Sequence, residues 1–280
     1  MILEHEIPTG TKLYFGQTAR KKRMIEDIAS RVLSEQGYEE IVTPLFSYHQ
    51  HQSISDQNEL VRLGDKDNYS MSLRADSTID VVKIIDKRLG RNTTHKKWFY
   101  IQPVYRYPSN EQYQVGAEYI GEERLSSVLG ANIEILRRLE LRPLLQLSNI
   151  KIPQILAEML DMELDDFRHI NIEKFLSKQI DWLTRLVYLH SVEEIDAVIA
   201  VVPDAIQTEL LKIKELVAQI EYDNIAVAPM YYASMLYYDE LFFRIIDKNA
   251  VFARGGRYKN EDVVSVGFAI YTDELVEELS

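Results

Sequence analysis

Two strand-like runs joined by a short polar segment limit the fold more than any other feature of the sequence. The runs cover residues 98–106 and 114–120, and the seven residues between them predict a hairpin with a polar tip. Further strand-like runs are found at residues 144–150, 235–246, 251–253 and 263–270, with a turn at 247–249. Consecutive hairpins of this kind indicate an antiparallel sheet, because a short turn can join only antiparallel neighbours.

Helical patterns flank these strands. They cover residues 18–36, 78–89, 126–140 and most of 152–222, and a short acidic helix with Thr272 as N-cap closes the chain. Gly37 ends the first helix, and an extended segment follows it to Pro44. Strands in hairpins with helices packed on them predict an α+β fold, with residues 1–280 as one domain and 152–222 as a mostly helical insertion.

Composition excludes several classes of protein. The chain has no cysteine, which excludes disulfide scaffolds, cysteine-ligated metals and thiol nucleophiles. It contains no long apolar run and no signal-like start, so we expect a cytoplasmic protein without a membrane span. A net charge of −12 opposes general nucleic-acid binding, and the basic run at 20–23 is interpreted as a solvated helix face.

Common catalytic and cofactor motifs are missing. His49 and His51 could bind a metal together, but no third ligand is evident nearby and no HExxH motif exists. The sequence also has no GxSxG elbow, no GxGxxG loop and no Walker A loop. We therefore expect no metal and no cofactor.

The informative residues are polar side chains inside or beside apolar strands. They are Arg74, Asp76, Arg106, Gln114, Glu118, Tyr237 and Tyr238. Any one of these residues could be a polar side chain that faces water on an edge strand. Together they form a set that is suitable for binding an α-amino acid. A guanidinium group would pair with its carboxylate, and the two acids with an ammonium or imidazolium group. Gln114 and Glu118, four residues apart on one strand, are predicted to share a face.

Six segments in a fixed order carry a resemblance to a known family: GYEEIVTP, SLRADST, PVYRYP…EQYQVGAEYIG, LYYDELFFRI, ARGGRY and VGFAIYTDEL. Their order resembles the class II histidyl-tRNA synthetase core, and more closely its paralogue, the regulatory subunit of ATP phosphoribosyltransferase. The resemblance covers most of residues 7–150 and 225–280 and is weak in the helical insertion.

Departures from the synthetase pattern imply that ATP chemistry is lost. Tyr107 and Pro108 follow Arg106 where the synthetase has Arg-x-Glu, and a catalytic arginine of the synthetase falls on or near Ala233. The arginine that clamps the ATP γ-phosphate falls on Glu274, whose charge repels a triphosphate. We also expect no anticodon-binding domain, since the chain ends at Ser280.

The resemblance implies that the amino-acid site is retained. Its positions are Asp76, Thr78, Arg106, Gln114, Glu118, Tyr237 and Tyr238. It further implies a non-catalytic subunit that activates the short-form ATP phosphoribosyltransferase catalytic subunit and relays L-histidine feedback in the first step of histidine biosynthesis. A homodimer, with GYEEIVTP at its interface, is implied within a hetero-oligomer. Two alternatives stay open: a synthetase-like enzyme that activates an amino acid with ATP, and a dimeric scaffold with a vestigial pocket.

Overall fold

A large sheet organises the part of the chain that the computed structural model describes, which is residues 6–52, 54, 56–90, 92–168, 171–233 and 237–279. In chain order the strands are β1 (Glu39–Glu40), β2 (Phe46–Ser47), β3 (Arg62–Gly64), β4 (Ser70–Leu73), β5 (Lys97–Arg106), β6 (Asn110–Ile120), β7 (Leu144–Asn149), β8 (Ile225–Val227), β9 (Tyr238–Asp247), β10 (Ala250–Asn260) and β11 (Val263–Tyr271). The helices are α1 (Gly16–Glu35), α2 (Thr78–Ile84), α3 (Ser126–Arg138), α4 (Lys151–Leu160), α5 (Leu164–Arg168), α6 (Ile172–Leu176), α7 (Asp181–Val187), α8 (Ile195–Ile199), α9 (Asp204–Ala218) and α10 (Thr272–Glu278).

The predicted α+β class is confirmed, although the sheet is mixed rather than wholly antiparallel. Its spatial order is β1-β5-β6-β11-β10-β9-β7-β8, and the six central strands run antiparallel to their neighbours. At each edge a short strand pairs in parallel, β1 with β5 and β8 with β7. In both cases a long connection containing helices separates the paired strands, as parallel pairing requires.

The two faces of the sheet differ in chemistry. On β11, Val266, Phe268 and Ile270 are almost fully buried in the main core, to which α1, α3 and α10 also contribute. The alternate residues Gly267, Ala269 and Tyr271 point to the opposite face and line a cavity. Side chains of a strand alternate between faces, so one strand builds both the core and the site.

The first hairpin is tighter than the sequence suggested. Arg106 pairs with Asn110, so the connection has three residues, 107–109, instead of the predicted seven. The polar residues Glu111, Gln112 and Tyr113 continue the strand because ladder pairing uses the backbone and does not require apolar side chains.

Strand β10 is also longer than the predicted 251–253. It continues through Gly255 and Gly256 to Asn260 and pairs with both β9 and β11. A Cβ atom at Gly255 would lie 2.6 Å from the ring of Phe243 on β9, so the glycine permits close packing. The predicted strand start at Met235 and Leu236 lies outside the described residues.

Helix ends agree with the sequence at one position and differ at another. Gly37 adopts φ +80°, and the Tyr38 N–H donates to the Leu33 carbonyl, which ends α1 as predicted. Thr272, however, is the first residue of α10 and not its N-cap, which is Tyr271. The Thr272 hydroxyl is buried and has no hydrogen-bond partner among the described residues, so it does not cap the helix.

The helical insertion packs on the same core. On α9 the residues Ile206, Leu210 and Ile213, spaced four and three apart in the sequence, form one apolar face and are fully buried. These side chains join the cluster that covers the sheet, together with Phe167 and Leu183 from α5 and α7. The insertion therefore extends the helical layer on the face of the sheet opposite the cavity.

A small three-stranded sheet, β2-β4-β3, was not predicted. Its strands have two to four residues each and are mostly exposed, so no periodicity marks them in the sequence. The small sheet matters because β4 leads through Arg74 to Asp76, which lines the cavity.

Candidate functional site

A cavity of about 730 Å³ opens on the face of the sheet opposite α1 and α3. Its floor consists of alternate residues of four adjacent strands: Tyr100 and Val104 on β5, Gln112 and Gln114 on β6, Gly267, Ala269 and Tyr271 on β11, and Arg254 and Tyr258 on β10. Asp76 and Thr78 at the start of α2, with Tyr237 and Tyr238 at the start of β9, form a wall. This volume and mixed polarity are typical of small-molecule sites.

Six of the seven predicted site residues line this cavity: Asp76, Thr78, Arg106, Gln114, Tyr237 and Tyr238. Glu118 lies one layer below, fully buried under the floor. Gln114 and Glu118 share a face of β6, as their spacing predicted, and Gly116 separates them.

Glu118 is held by hydroxyl groups rather than by a cation. Its Oε2 accepts a hydrogen bond from the Tyr258 hydroxyl at 2.7 Å, and its Oε1 accepts one from the Tyr100 hydroxyl at 3.3 Å. Burial raises the pKa of Glu118 to about 8, although the hydroxyl groups of Tyr258 and Thr78 oppose the rise. Near neutral pH this carboxyl group can therefore gain or lose a proton.

Glycines make room for this arrangement. A Cβ atom at Gly267 would lie 1.9 Å from Oε2 of Glu118, and one at Gly116 would lie 2.1 Å from the ring of Tyr100. Any side chain at either position would displace a buried group that forms the floor.

Asp76 is positioned by the backbone of its own loop. The Gln50 side chain accepts hydrogen bonds from the N–H groups of Ala75 and Asp76, at 2.8 and 2.7 Å, which fixes the chain before α2. The Asp76 carboxylate then accepts hydrogen bonds from the Ile79 N–H and the Tyr237 hydroxyl, each at 3.3 Å. Burial raises the pKa of Asp76 to about 6, and the Ile79 N–H and the charge of Arg106 limit the rise.

Arg74 has a structural role in this arrangement. Its guanidinium group donates to the carbonyls of Thr43, Pro44 and Pro103 at 3.0 to 3.2 Å. It joins the segment after β1 to β5, and it does not line the cavity.

Arg106 lies at the mouth of the cavity and already has an acidic partner. Its Nη1 donates to Glu59 at 2.5 Å, and its Nη2 donates weakly to the Ala75 carbonyl at 3.5 Å. Sequence reasoning missed Glu59, because this residue lies in a short 3₁₀ turn that carries no periodic pattern.

Two further lining residues had no assigned role. Arg254 and Tyr258 both belong to the ARGGRY segment, which contributes to the family resemblance. The sequence alone assigned no role to the Arg254 guanidinium group or to the Tyr258 hydroxyl group. Once β10 is recognised as a full strand, alternation places both on the cavity face.

The positions at which synthetase arginines were expected are not cationic. Ala233 is buried in a small cluster with Ile150 and Phe242. Glu274 lines the cavity beside Asp273. Among the described lining residues there are five acids, Glu59, Asp76, Glu111, Asp273 and Glu274, and three cations, Lys12, Arg106 and Arg254. This balance disfavours a triphosphate.

Neither a metal cluster nor a membrane span is found in the part of the chain that the structure describes. No three metal-ligating side chains of the described residues lie together, and His51 lies in a 3₁₀ turn. Of the described helices, none is both long and apolar enough to cross a bilayer.

Comparison with known proteins agrees with the geometry. The sequence matches the histidyl-tRNA synthetase family over residues 14–275. It is 45% identical to an ATP phosphoribosyltransferase regulatory subunit of Wolinella succinogenes, over 100% of this chain and 97% of the relative. It is 43% identical to the protein of the same name from Helicobacter hepaticus, over 99% of both chains.

Solved structures show the same fold at lower identity. A Bacillus halodurans protein, described as an ATP phosphoribosyltransferase regulatory subunit/histidyl-tRNA synthetase, superimposes with a TM-score of 0.85 at 20% identity, covering 100% of this chain and 84% of that one. A histidine–tRNA ligase subunit of Alicyclobacillus acidocaldarius gives a TM-score of 0.80 at 22% identity, covering 99% and 98%. The chain therefore belongs to the family of ATP phosphoribosyltransferase regulatory subunits, non-catalytic chains with a histidyl-tRNA synthetase-like fold.

Proposed function

We propose that this chain binds L-histidine in the cavity and acts as the histidine-sensing subunit of an ATP phosphoribosyltransferase. In this role it activates a short-form catalytic subunit and transmits feedback inhibition in the first step of histidine biosynthesis. The names of its relatives support the choice of enzyme, and the chemistry of the cavity supports histidine as the effector.

One observation carries the proposal: two buried carboxyl groups, of Asp76 and Glu118, lie at a cavity that guanidinium groups also line. A free amino acid has an anionic and a cationic end, and histidine adds a ring that is protonated in the same pH range. Asp76 on the wall can accept a hydrogen bond from such a cation directly. Glu118 below the floor adds negative potential through the hydroxyl groups of Tyr258 and Tyr100.

The charges of the cavity support sensing rather than catalysis. Glu274 and Asp273 line the part of the cavity where the resemblance places the ATP γ-phosphate, and their carboxylates repel a triphosphate. A chain that keeps the amino-acid subsite without the nucleotide subsite suits an effector-binding subunit.

We also propose that the chain forms a homodimer through the segment after α1. Among the described residues Val42, Phe46 and Tyr48 are 77%, 51% and 53% exposed, within one stretch of seven residues. Large apolar side chains gathered on one surface are typical of an interface with another chain. Because this segment is tied to β5 through Arg74, such an interface would adjoin the cavity.

Calorimetric titration of the full chain with L-histidine tests the proposal, with L-phenylalanine and ATP as controls. We expect saturable L-histidine binding and no signal from either control. Asp76→Asn should weaken binding about ten- to a hundred-fold, since it removes one charge-assisted contact. Glu118→Gln should weaken binding less, and mainly at pH 8 and above, because Glu118 is ionised there and acts through the hydroxyl groups of Tyr258 and Tyr100. Glu221→Gln, which neutralises an exposed acid after α9, is the matched control and should leave binding unchanged.

The second arm adds the chain to a short-form catalytic subunit and follows consumption of ATP and phosphoribosyl pyrophosphate. Activation that L-histidine reverses would support the whole proposal. Activation without any histidine effect would favour the scaffold, and ATP binding with pyrophosphate exchange would favour the enzyme.

A further inference from the structure

A row of side chains crosses the cavity face of the sheet and contains two adjacent arginines. Strand register places its members in the order Gln146, Arg244, Arg254, Ala269, Gly116 and Tyr100, on β7, β9, β10, β11, β6 and β5. Directly opposed residues of an antiparallel pair have Cβ atoms about 5 Å apart. Two guanidinium groups therefore stand side by side in the middle of the sheet, and the row contains no acid.

Arg254 lacks the partners that a cation in this position requires. Its Nε is buried without a hydrogen-bond partner, and none of its guanidinium nitrogens hydrogen-bonds to or forms an ion pair with a described residue. Its described contact is with the Tyr271 ring, whose centroid lies 6.0 Å away. Burial lowers the pKa of Arg254, and the tyrosines Tyr271, Tyr231, Tyr238 and Tyr237 raise it by more than this.

Neighbouring arginines are satisfied, which makes Arg254 distinct. Arg244 donates twice to the Gln146 side chain and stacks on Tyr231, with its guanidinium carbon 3.7 Å from the ring centroid. Arg257, three residues after Arg254, pairs with Asp239 at 2.8 Å. At the mouth of the cavity Arg106 is paired with Glu59.

An anion at Arg254 would remove this imbalance. A partly buried cation without a counter-ion loses hydration without gaining a pair, and a second cation on the next strand adds repulsion. A bound carboxylate would supply the acceptor for the guanidinium fork, whose two parallel donors match a planar carboxylate.

We infer that Arg254, backed by Arg244, is the anchor for the carboxylate of the amino-acid ligand. This inference rests on the proposed histidine-binding function and refines it, because the resemblance placed Arg106, and not Arg254, among the site residues. Arg254 lies on the floor of the cavity, whereas Arg106 lies at its mouth with Glu59 as partner. The ligand would then lie across the floor, with its carboxylate on Arg254 and its cationic groups towards Asp76.

Two ligands that differ in one group separate this role from a structural one. L-histidine and histamine share the imidazole and the amine, and histamine lacks the carboxylate. Arg254→Met should weaken L-histidine about ten- to a hundred-fold and change histamine less than threefold. The same substitution at the other lining arginine, Arg106→Met, is the matched control and should preserve the ratio of the two affinities. Arg254→Lys, which keeps the charge without the fork, should restore part of the loss.

Each other result has a defined meaning. An equal loss of both ligands in Arg254→Met would overturn the inference, because damage to the fold acts on both. A loss of affinity for L-histidine alone in Arg106→Met would also overturn the inference, although the proposed histidine-binding function would stand. If Arg254→Met unfolds, the same comparison is made with Arg254→Lys.

A different probe decides the matter if the wild-type chain binds neither ligand, an outcome that would refute the proposed function. Sodium sulfate and sodium chloride are then compared at equal ionic strength by thermal unfolding. A sulfate-specific rise in the unfolding midpoint of the wild type that is lost in Arg254→Met would support an anion subsite. Equal responses of the two proteins would overturn it.

Discussion

The buried acid beneath the cavity floor gives a prediction that needs no ligand. Burial raises the pKa of Glu118 from 4.5 to about 8 in the folded protein. The folded chain therefore holds this proton more tightly than the unfolded chain does. The contribution of this proton to the free energy of unfolding is therefore complete below pH 4.5. It is lost as the pH rises to 8. The same change at Asp76, from 3.8 to about 6, acts mostly below pH 6.

The magnitude follows from linkage over the window between pH 6 and pH 8. Between pH 6 and nearly pH 8, unfolding releases about one proton from Glu118. Each pH unit then lowers the wild-type free energy of unfolding by about 1.4 kcal/mol, so the loss over the window is about 2 kcal/mol. Glu118→Gln removes this titration and keeps the shape of the side chain. Its amide can donate to one hydroxyl group and accept from another, so the tyrosine contacts remain satisfied.

Urea unfolding of both proteins at pH 6, 7 and 8 measures the difference. We expect the wild type to lose about 2 kcal/mol more than Glu118→Gln across this range, so that the variant is the more stable protein at pH 8. Glu221→Gln should follow the wild type. Parallel pH profiles for the wild type and Glu118→Gln would refute the reasoning, since Glu118 would then be ionised throughout the range.

Three other substitutions test the floor and the exposed apolar surface. Gly267→Ala should destabilise the protein by about 3 kcal/mol in urea unfolding, because its Cβ would overlap Glu118, whereas Gly64→Ala, with nothing within 4 Å, should change stability by less than about 0.5 kcal/mol. Tyr258→Phe removes the shorter hydrogen bond to Glu118, so the fall in stability should shift to higher pH in the same titration. Val42→Asp should convert the proposed dimer to a monomer in sedimentation velocity, and an unchanged sedimentation coefficient would place the interface elsewhere.

The sequence predicted elements well where a single face is buried. The face of α9 and the extent of β11 follow directly from apolar spacing, because those side chains pack against one core. The prediction was less accurate for strands that face the cavity instead of the apolar core. The predicted β10 ended before its glycines, and the predicted β6 began only after its polar residues. In both cases the strand faces a polar cavity and therefore lacks apolar residues on that face.

The candidate site shows the same division. Residues matched through the resemblance converge on one cavity, and alternation predicted that Gln114 and Glu118 share a face. Pairing could not be predicted, because it depends on distances between elements far apart in the chain. Arg106 pairs with Glu59, which is 47 residues away in the sequence, and Tyr258 donates a hydrogen bond to Glu118, which is 140 residues away. That Arg254 has no polar partner among the described residues emerges only from the three-dimensional structure.

The groups beneath and along the cavity share one physical property, which is that each lowers stability in the empty protein. Ionised Glu118 is buried without a cation, and Arg254 stands beside Arg244 without an anion. Apolar residues of similar volume would serve a purely structural sheet better. A zwitterionic ligand would relieve both costs at once, because its cation and its carboxylate meet the opposite charges. Binding and stability are thus coupled through the same residues. At pH 8, Glu118→Gln should be more stable than the wild type when empty and should bind L-histidine more weakly.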